Sequence, residues 1–198
     1  MQSDSESMFT DILEEVKGFI TTPVEAFQKA RDDSLESAFG YYIVLLALYA
    51  AIIAAGIAIV GATLSGMSGQ ALGLFGAALP LIVFVGLIIS GIISVFVGGA
   101  WLHLFVMLLG GQKGYSQTVK SLLYGWTPHF LLGWIPFIGL LGSLWSLGLV
   151  IIGVRELHQI STERSIAAVL IAILLPLIVI VVLGAAFFMI WSSRVTPF

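Results

Sequence analysis

Three long runs lack Asp, Glu, Lys and Arg altogether: Ser37 to Gln112, Ser121 to Val154 and Ser165 to Ser193. A helix that crosses a bilayer needs only about 20 apolar residues, so the first run is too long for one crossing. It divides at SGMSGQALGLFGAALP, Ser65 to Pro80, where glycine, serine and proline mark a connection. The pattern predicts a first span over residues 39–64 and a second over 79–109, ended by Gly110 and Gly111 as C-cap glycines. The last run predicts a span over residues 166–191, kinked where Pro176 removes a backbone donor.

The middle run contains GWTPHFLLGWIPFIGLLG, Gly125 to Gly142, with two prolines and a histidine among apolar residues. Ser116 can cap a helix that begins at Gln117, and Gly133 to Pro136 reads as a turn. Residues 137–154 then supply an apolar stretch that, at about 1.5 Å per residue, is long enough to cross. If that limb crosses, the limb before it does too. The pair reads as a hairpin, with its first helix, residues 117–133, bent at Pro128. The expected fold is therefore all-α: a polytopic membrane protein with five transmembrane helices over residues 38–194, preceded by an amphipathic helical segment over residues 1–37.

Composition agrees with that reading. Of 198 residues, 59% are hydrophobic and 10% charged, against about 45–50% and about 25% in soluble domains. The first apolar run follows an acidic segment and exceeds a signal h-region, so it is expected to be retained as a span. No cysteine is present, which excludes disulfides, thiolate metal sites and cysteine nucleophiles.

Charge sets the expected orientation. With the N-terminus inside, Lys17, Lys29, Arg31, Lys113, Lys120, Arg155 and Arg164 fall on the cytoplasmic side and Arg194 outside. The N-terminal segment has its own pattern: Met8, Phe9, Ile12, Leu13, Val16 and Ile20 recur at helical spacing opposite Asp11, Glu14 and Glu15. A second short helix is expected after Thr22, Pro23 and Glu25, which have the order of N-cap, N1 and N3 in a capping box. Residues 1–36 carry nine acids and three bases, so the segment is expected to dock on the basic loops of its own cytoplasmic side.

The order TPVEAF, then WLHLFVMLLGGQKGYSQTVKSLLYGWTP, then IPFIGLLGSLWSLGLVIIGVRELHQIST resembles the Yip1-domain family of five-span membrane proteins. Trp101 and His103 before Leu109, Gly110 and Gly111 carry the likeness, followed by Tyr124 and Pro128, then Trp145, Gly153, His158 and Ser161. The resemblance implies an integral membrane protein with a cytoplasmic N-terminus. Eukaryotic members are associated with Golgi and endoplasmic-reticulum trafficking and with lipidated Rab-type GTPases, usually through a longer N-terminal region. This chain looks more like the short prokaryotic members, which implies a prokaryotic cell membrane; the charge pattern with five spans leads us to expect the C-terminus outside.

Candidate chemistry is sparse. Catalysis or transport at membrane depth needs positioned acids, bases or ligands, and the polar residues at depth are chiefly Ser90, Ser94, Thr127, His103, His129, Ser143 and Ser146. GGQKG at Gly110 to Gly114 lacks the spacing of a phosphate loop. Gly86, Ser90, Ser94 and Gly98 in the second span, and Ala50, Ala54, Ala58 and Ala62 in the first, form small-residue stripes that favour close helix packing. His129 is expected to bond carbonyls freed by Pro128. His103, Arg155, Glu156 and His158 are expected to form a polar cluster at the cytoplasmic ends of the second and fourth spans. These features point to a non-enzymatic scaffold or adaptor with no cofactor or metal. Its partners would be membrane lipids, a protein at the cytoplasmic face and further copies of the chain, and not nucleic acid. The competing reading is a small channel or transporter formed by an oligomer, which would need polar faces aligned across several spans.

Overall fold

The computed structural model describes residues 2–68 and 73–195, with the side chains of residues 10–63, 78–192 and Arg194. Eight helices follow one another: α1 (Gln2–Thr21), α2 (Pro23–Lys29), α3 (Leu35–Ser68), α4 (Gly73–Leu108), α5 (Tyr115–Gly125), α6 (Thr127–Leu132), α7 (Ile138–His158) and α8 (Thr162–Val195). Four of them, α3, α4, α7 and α8, are long and apolar enough to cross a membrane. The third expected span, residues 117–133, is not one continuous helix but the pair α5 and α6.

The division falls at Trp126, two residues before Pro128. Proline lacks an N–H and cannot complete the ladder, so neighbouring side chains take over. Thr127 Oγ1 donates to the Tyr124 carbonyl at 2.6 Å, and the His129 amide donates to Ser146 Oγ at 2.9 Å. The ladder resumes with the Phe130 amide on the Trp126 carbonyl at 3.1 Å. Thr127, not His129, satisfies the freed carbonyl; the His129 ring instead bonds Ser143 Oγ at 3.0 Å.

Together α5 and α6 lie antiparallel along the whole of α7. Thr118 bonds His158, and Ser121 lies beside Gly153. Gly125 meets Val150, the His129 amide meets Ser146, and Gly133 meets Gly139. Glycine sets this distance: a Cβ on Gly125 would stand 2.6 Å from Val150 Cγ2, and one on Gly139 would stand 2.8 Å from the Gly133 carbonyl oxygen.

Several expected helix boundaries move. The Gly/Ser/Pro-rich connection is largely helical, because α3 continues to Ser68 and α4 already begins at Gly73, with Pro80 inside it. Residues 69–72 of that connection lie outside the described residues. Gly114, not Ser116, is the N-cap of α5. The end of α4 is closed as expected, with Gly110 at φ +100° and the Gly111 amide on the Val106 carbonyl at 2.8 Å. Pro176 sits inside α8, which runs through it as one helix.

At the N-terminus α1 and α2 form, Pro23 opening α2, but the capping box does not. Thr22 makes no side-chain cap, and its hydroxyl turns back to the Gly18 carbonyl. Ile12 and Val16 pack at the edge of the core, whereas the side chains of Met8 and Phe9 lie outside the described residues. Phe19 and Phe27 are fully inside: Phe19 stacks on Tyr124 at 4.4 Å between centroids and meets Phe27 edge-on at 4.9 Å. One core cluster thus joins α1 and α2 to α3, α4, α5, α6 and α7, and a second joins α4, α7 and α8 around Val106, Val154 and Ala168.

Candidate functional site

Helix α5 is polar yet buried. Thr118, Lys120 and Ser121 are each no more than 1% exposed. Each buried polar group needs a partner, or it costs roughly 1–3 kcal/mol, and α5 finds partners in three directions.

Toward α4 and α7, Thr118 Oγ1 stands 2.7 Å from His103 Nδ1 and 2.9 Å from His158 Nε2. One hydroxyl has one proton, so it donates to one ring and accepts from the other. His158 Nδ1 is buried without a partner among the described residues. A buried bare acceptor is tolerated better than a buried bare N–H, which assigns the proton of His158 to Nε2 and the hydroxyl proton of Thr118 to His103 Nδ1. Gly111 closes over this ring, and a Cβ there would stand 3.1 Å from His158 Nδ1.

Toward the N-terminal hairpin, Lys120 Nζ donates to the carbonyls of Ala30, Arg31 and Asp33 at 2.8, 2.9 and 2.9 Å. Three ammonium protons meet three acceptors, and the chain leaving α2 is fixed to the bundle. Tyr124 adds a hydroxyl bond to Asp33 Oδ2 at 2.9 Å. Toward α3, the Tyr41 and Thr127 hydroxyls bond at 2.8 Å.

A second group gathers on Glu156. Its Oε2 accepts from Arg31 Nη2 at 2.8 Å and Gln28 Nε2 at 3.0 Å, and its Oε1 accepts from Arg155 Nε and Nη2, both at 2.9 Å. The four residues expected to cluster therefore fall into two neighbouring groups: His103 with His158 through Thr118, and Arg155 directly with Glu156, which also holds Arg31 and Gln28 of the hairpin. The ion pair that holds the N-terminal segment also has the opposite sense from that expected, with the base, Arg31, on the segment and the acid, Glu156, on α7.

Of the segment's own acids, Asp11, Glu14 and Glu25 are exposed, whereas Glu15 and Asp33 are half-buried. These five, with Lys29, line a hollow of about 460 Å³ beside α1 and α2. Partial burial, and next the nearby Asp33 carboxylate, raise the Glu15 pKa above 4.5. No group of three or more His, Asp or Glu side chains is placed to hold a metal among the described residues.

The small-residue stripes take different positions. Ala50 is buried and Ala54 half-buried, while Ala58 and Ala62 are exposed. Gly86, Ser90 and Ser94 are exposed, and a Cβ on Gly86 or Gly98 would meet nothing within 4 Å. The close approach of α4 to α3 is at Gly91, where a Cβ would stand 2.7 Å from Leu46 Cδ2 and whose carbonyl accepts from the Tyr42 hydroxyl at 3.0 Å. Ser94 and Gly98 instead line a cavity of about 480 Å³ among α4, α5–α6, α7 and α8.

Sequence reasoning did not single out Thr118 or Gln28, and it named Tyr124 only for the family likeness and Lys120 and Arg31 only for orientation, not as members of this network. One signal was present: Lys120 lies inside the expected third span, and a charged residue at membrane depth faces protein or a partner rather than lipid.

The sequence profile of the Yip1 domain matches residues 17–195. The chain belongs to the Yip1-domain family. No curated protein and no solved structure matches it. The matched stretch begins at Lys17 and takes in Phe19, Phe27 and Arg31. The docked end of α1 and the whole of α2 are thus part of the Yip1 domain rather than a tail outside it.

Proposed function

We propose that this Yip1 domain is a non-enzymatic membrane scaffold or adaptor, which crosses the bilayer five times and presents the α1–α2 hairpin to a cytoplasmic protein partner. The observation that carries the reading is the hairpin itself. It is anchored by Lys120, Tyr124 and Glu156, yet its Asp11, Glu14 and Glu25 are exposed around a hollow. A rigid acidic face suits a partner segment rich in Lys and Arg, because complementary charge steers encounter and sets specificity.

Five crossings are supported by the α5–α6 limb. Helix α7 has 21 residues, or roughly 31 Å at 1.5 Å per residue. Its antiparallel partner keeps contact from Thr118 at His158 to Gly133 at Gly139, so it passes through the same depth. Each of these two helices is short and partly polar, but Thr118, Lys120, Ser121 and Thr127 are buried in protein. The distribution of Lys and Arg favours a cytoplasmic N-terminus, and with five crossings the C-terminus then lies outside; the likeness to short prokaryotic members is what favours a prokaryotic cell membrane.

Photo-crosslinkers at Glu14 and Gln112 in native membranes test the adaptor reading. One defined protein is captured from Glu14, and reversing Asp11, Glu14 and Glu25 to Lys abolishes capture by a neighbouring crosslinker at Thr21. Capture of lipid alone, or capture indifferent to charge reversal, would overturn it.

A further inference from the structure

The cavity among α4, α5–α6, α7 and α8 has a composition that selects its guest. Its wall includes Gly98, Leu102, Leu147, Val150 and Val169, and no Asp, Glu, Lys or Arg contributes to it. The polar groups on it are mostly paired within the protein. Ser94 donates to the Gly91 carbonyl at 2.9 Å, and the Trp101 indole donates to the Ala172 carbonyl at 2.8 Å. Ser143 donates to the Gly139 carbonyl at 2.9 Å, so its oxygen accepts from His129 Nδ1, and Ser146 accepts from the His129 amide. Ordered water needs two to four polar partners, and the donors of Ser94, Trp101 and Ser143 are already committed.

Position decides the rest. The floor is sealed by the packed cluster of Leu102, Val150 and Val169. Helix α8 closes only one end of the cavity, because its contribution stops at Ile173 and no residue from there to Trp191 is buried. The cavity is therefore continuous with the exposed apolar faces of α4 and α8 at span depth, where the mobile apolar species is lipid. At about 480 Å³ it is roughly three times the ~150 Å³ that admits a benzene-sized guest and lies within the usual range of ligand pockets.

We propose that this cavity binds one acyl chain of a bilayer phospholipid, entering from the side beside Ile173, with its tail toward Leu102 and Val150. The site is separate from the hairpin face and does not depend on the adaptor reading.

The test uses full-length protein in phosphatidylethanolamine–phosphatidylglycerol vesicles, with phosphatidylglycerol carrying a diazirine near the end of one acyl chain. Gly98→Trp fills the cavity from a position where a Cβ meets nothing, Ile173→Trp obstructs its exposed mouth, and Gly86→Trp changes an open position outside the wall. Labelling of the peptide carrying Leu147 and Val150 is expected to saturate, to fall about tenfold in Gly98→Trp and Ile173→Trp, and to persist in Gly86→Trp. Ile173→Trp, at an exposed position, carries the test if Gly98→Trp does not fold. Labelling of that peptide that never saturates, equal labelling in the parent and the cavity variants, or crosslinks there to a second copy of the chain in place of lipid would overturn the proposal.

Discussion

The Phe27 ring occupies the place where any side chain on Gly153 would begin. A Cβ on Gly153 would stand 2.8 Å from Phe27 Cε1 and 2.9 Å from Ser121 Cβ, and Phe27 is fully buried. The N-terminal hairpin is thereby keyed into the groove between α5 and α7. Gly153→Val overpacks that groove and is expected to cost roughly 1–3 kcal/mol. Thermal melting in detergent, with limited proteolysis in α1 and α2, reads it. The control is Gly148→Val, at a position where a Cβ meets nothing within 4 Å; it is expected to melt like the parent.

Lys120 makes a second, separable prediction. Lys120→Met removes the donor from three carbonyls in a buried site, with an expected loss of roughly 2–3 kcal/mol. Lys120→Arg does not restore it, because a planar fork cannot follow the arrangement of an ammonium group. Proteolysis of the hairpin that is unchanged in Lys120→Met would contradict this role.

Thr118 is where the two histidines meet. Thr118→Val keeps the shape and deletes the hydroxyl, leaving facing nitrogens of His103 and His158 without their shared partner; a loss of roughly 1–3 kcal/mol is expected. Thr118→Ser keeps the hydroxyl and is expected to recover most of it. Partner or lipid capture, measured alongside melting in His103→Ala and His158→Ala, separates a binding role from a purely structural one: a structural network lowers melting alone.

Glu15 gives the pH dependence. Its docked-state pKa is raised above 4.5 by burial first and by Asp33 next, so the docked hairpin holds its proton more tightly than the released one. That contribution is fully present below pH 4.5 and is lost as pH rises through the docked-state value. Protease protection of α1 is expected to weaken over that window in the parent and to weaken less in Glu15→Gln. A steeper dependence in the variant would contradict the assignment.

Much of this architecture is legible in the sequence, for reasons that also explain the exceptions. The uncharged runs mark α3, α4, α7 and α8 because membrane depth excludes charge over a fixed length. Residues 117–133 read as a third span from the same length logic, with a bend at Pro128, but the partner that takes the His129 amide beyond the break is Ser146 of α7, which is tertiary information. His103 and His158 are legible as a pair through shared depth. Thr118 is not, because a threonine in a helix carries no signal until its neighbours are known. The α4 stripe has the right composition for packing, yet Gly91, one position from Ser90, makes the contact. A turn of about 100° per residue moves a neighbour to another face, and a helix apolar all round gives no pattern to choose between faces.

The direct measurement of the five-crossing account is the sidedness of the two ends, and a chain without cysteine allows it. Single cysteines at Lys17, Gln112 and Arg194, each an exposed position, are treated with a membrane-impermeant thiol reagent on intact cells. The account predicts labelling at position 194 alone, with positions 17 and 112 reacting only after the membrane is opened. Labelling of positions 17 and 194 from the same side would mean an even number of crossings, and α5–α6 would then not be a span.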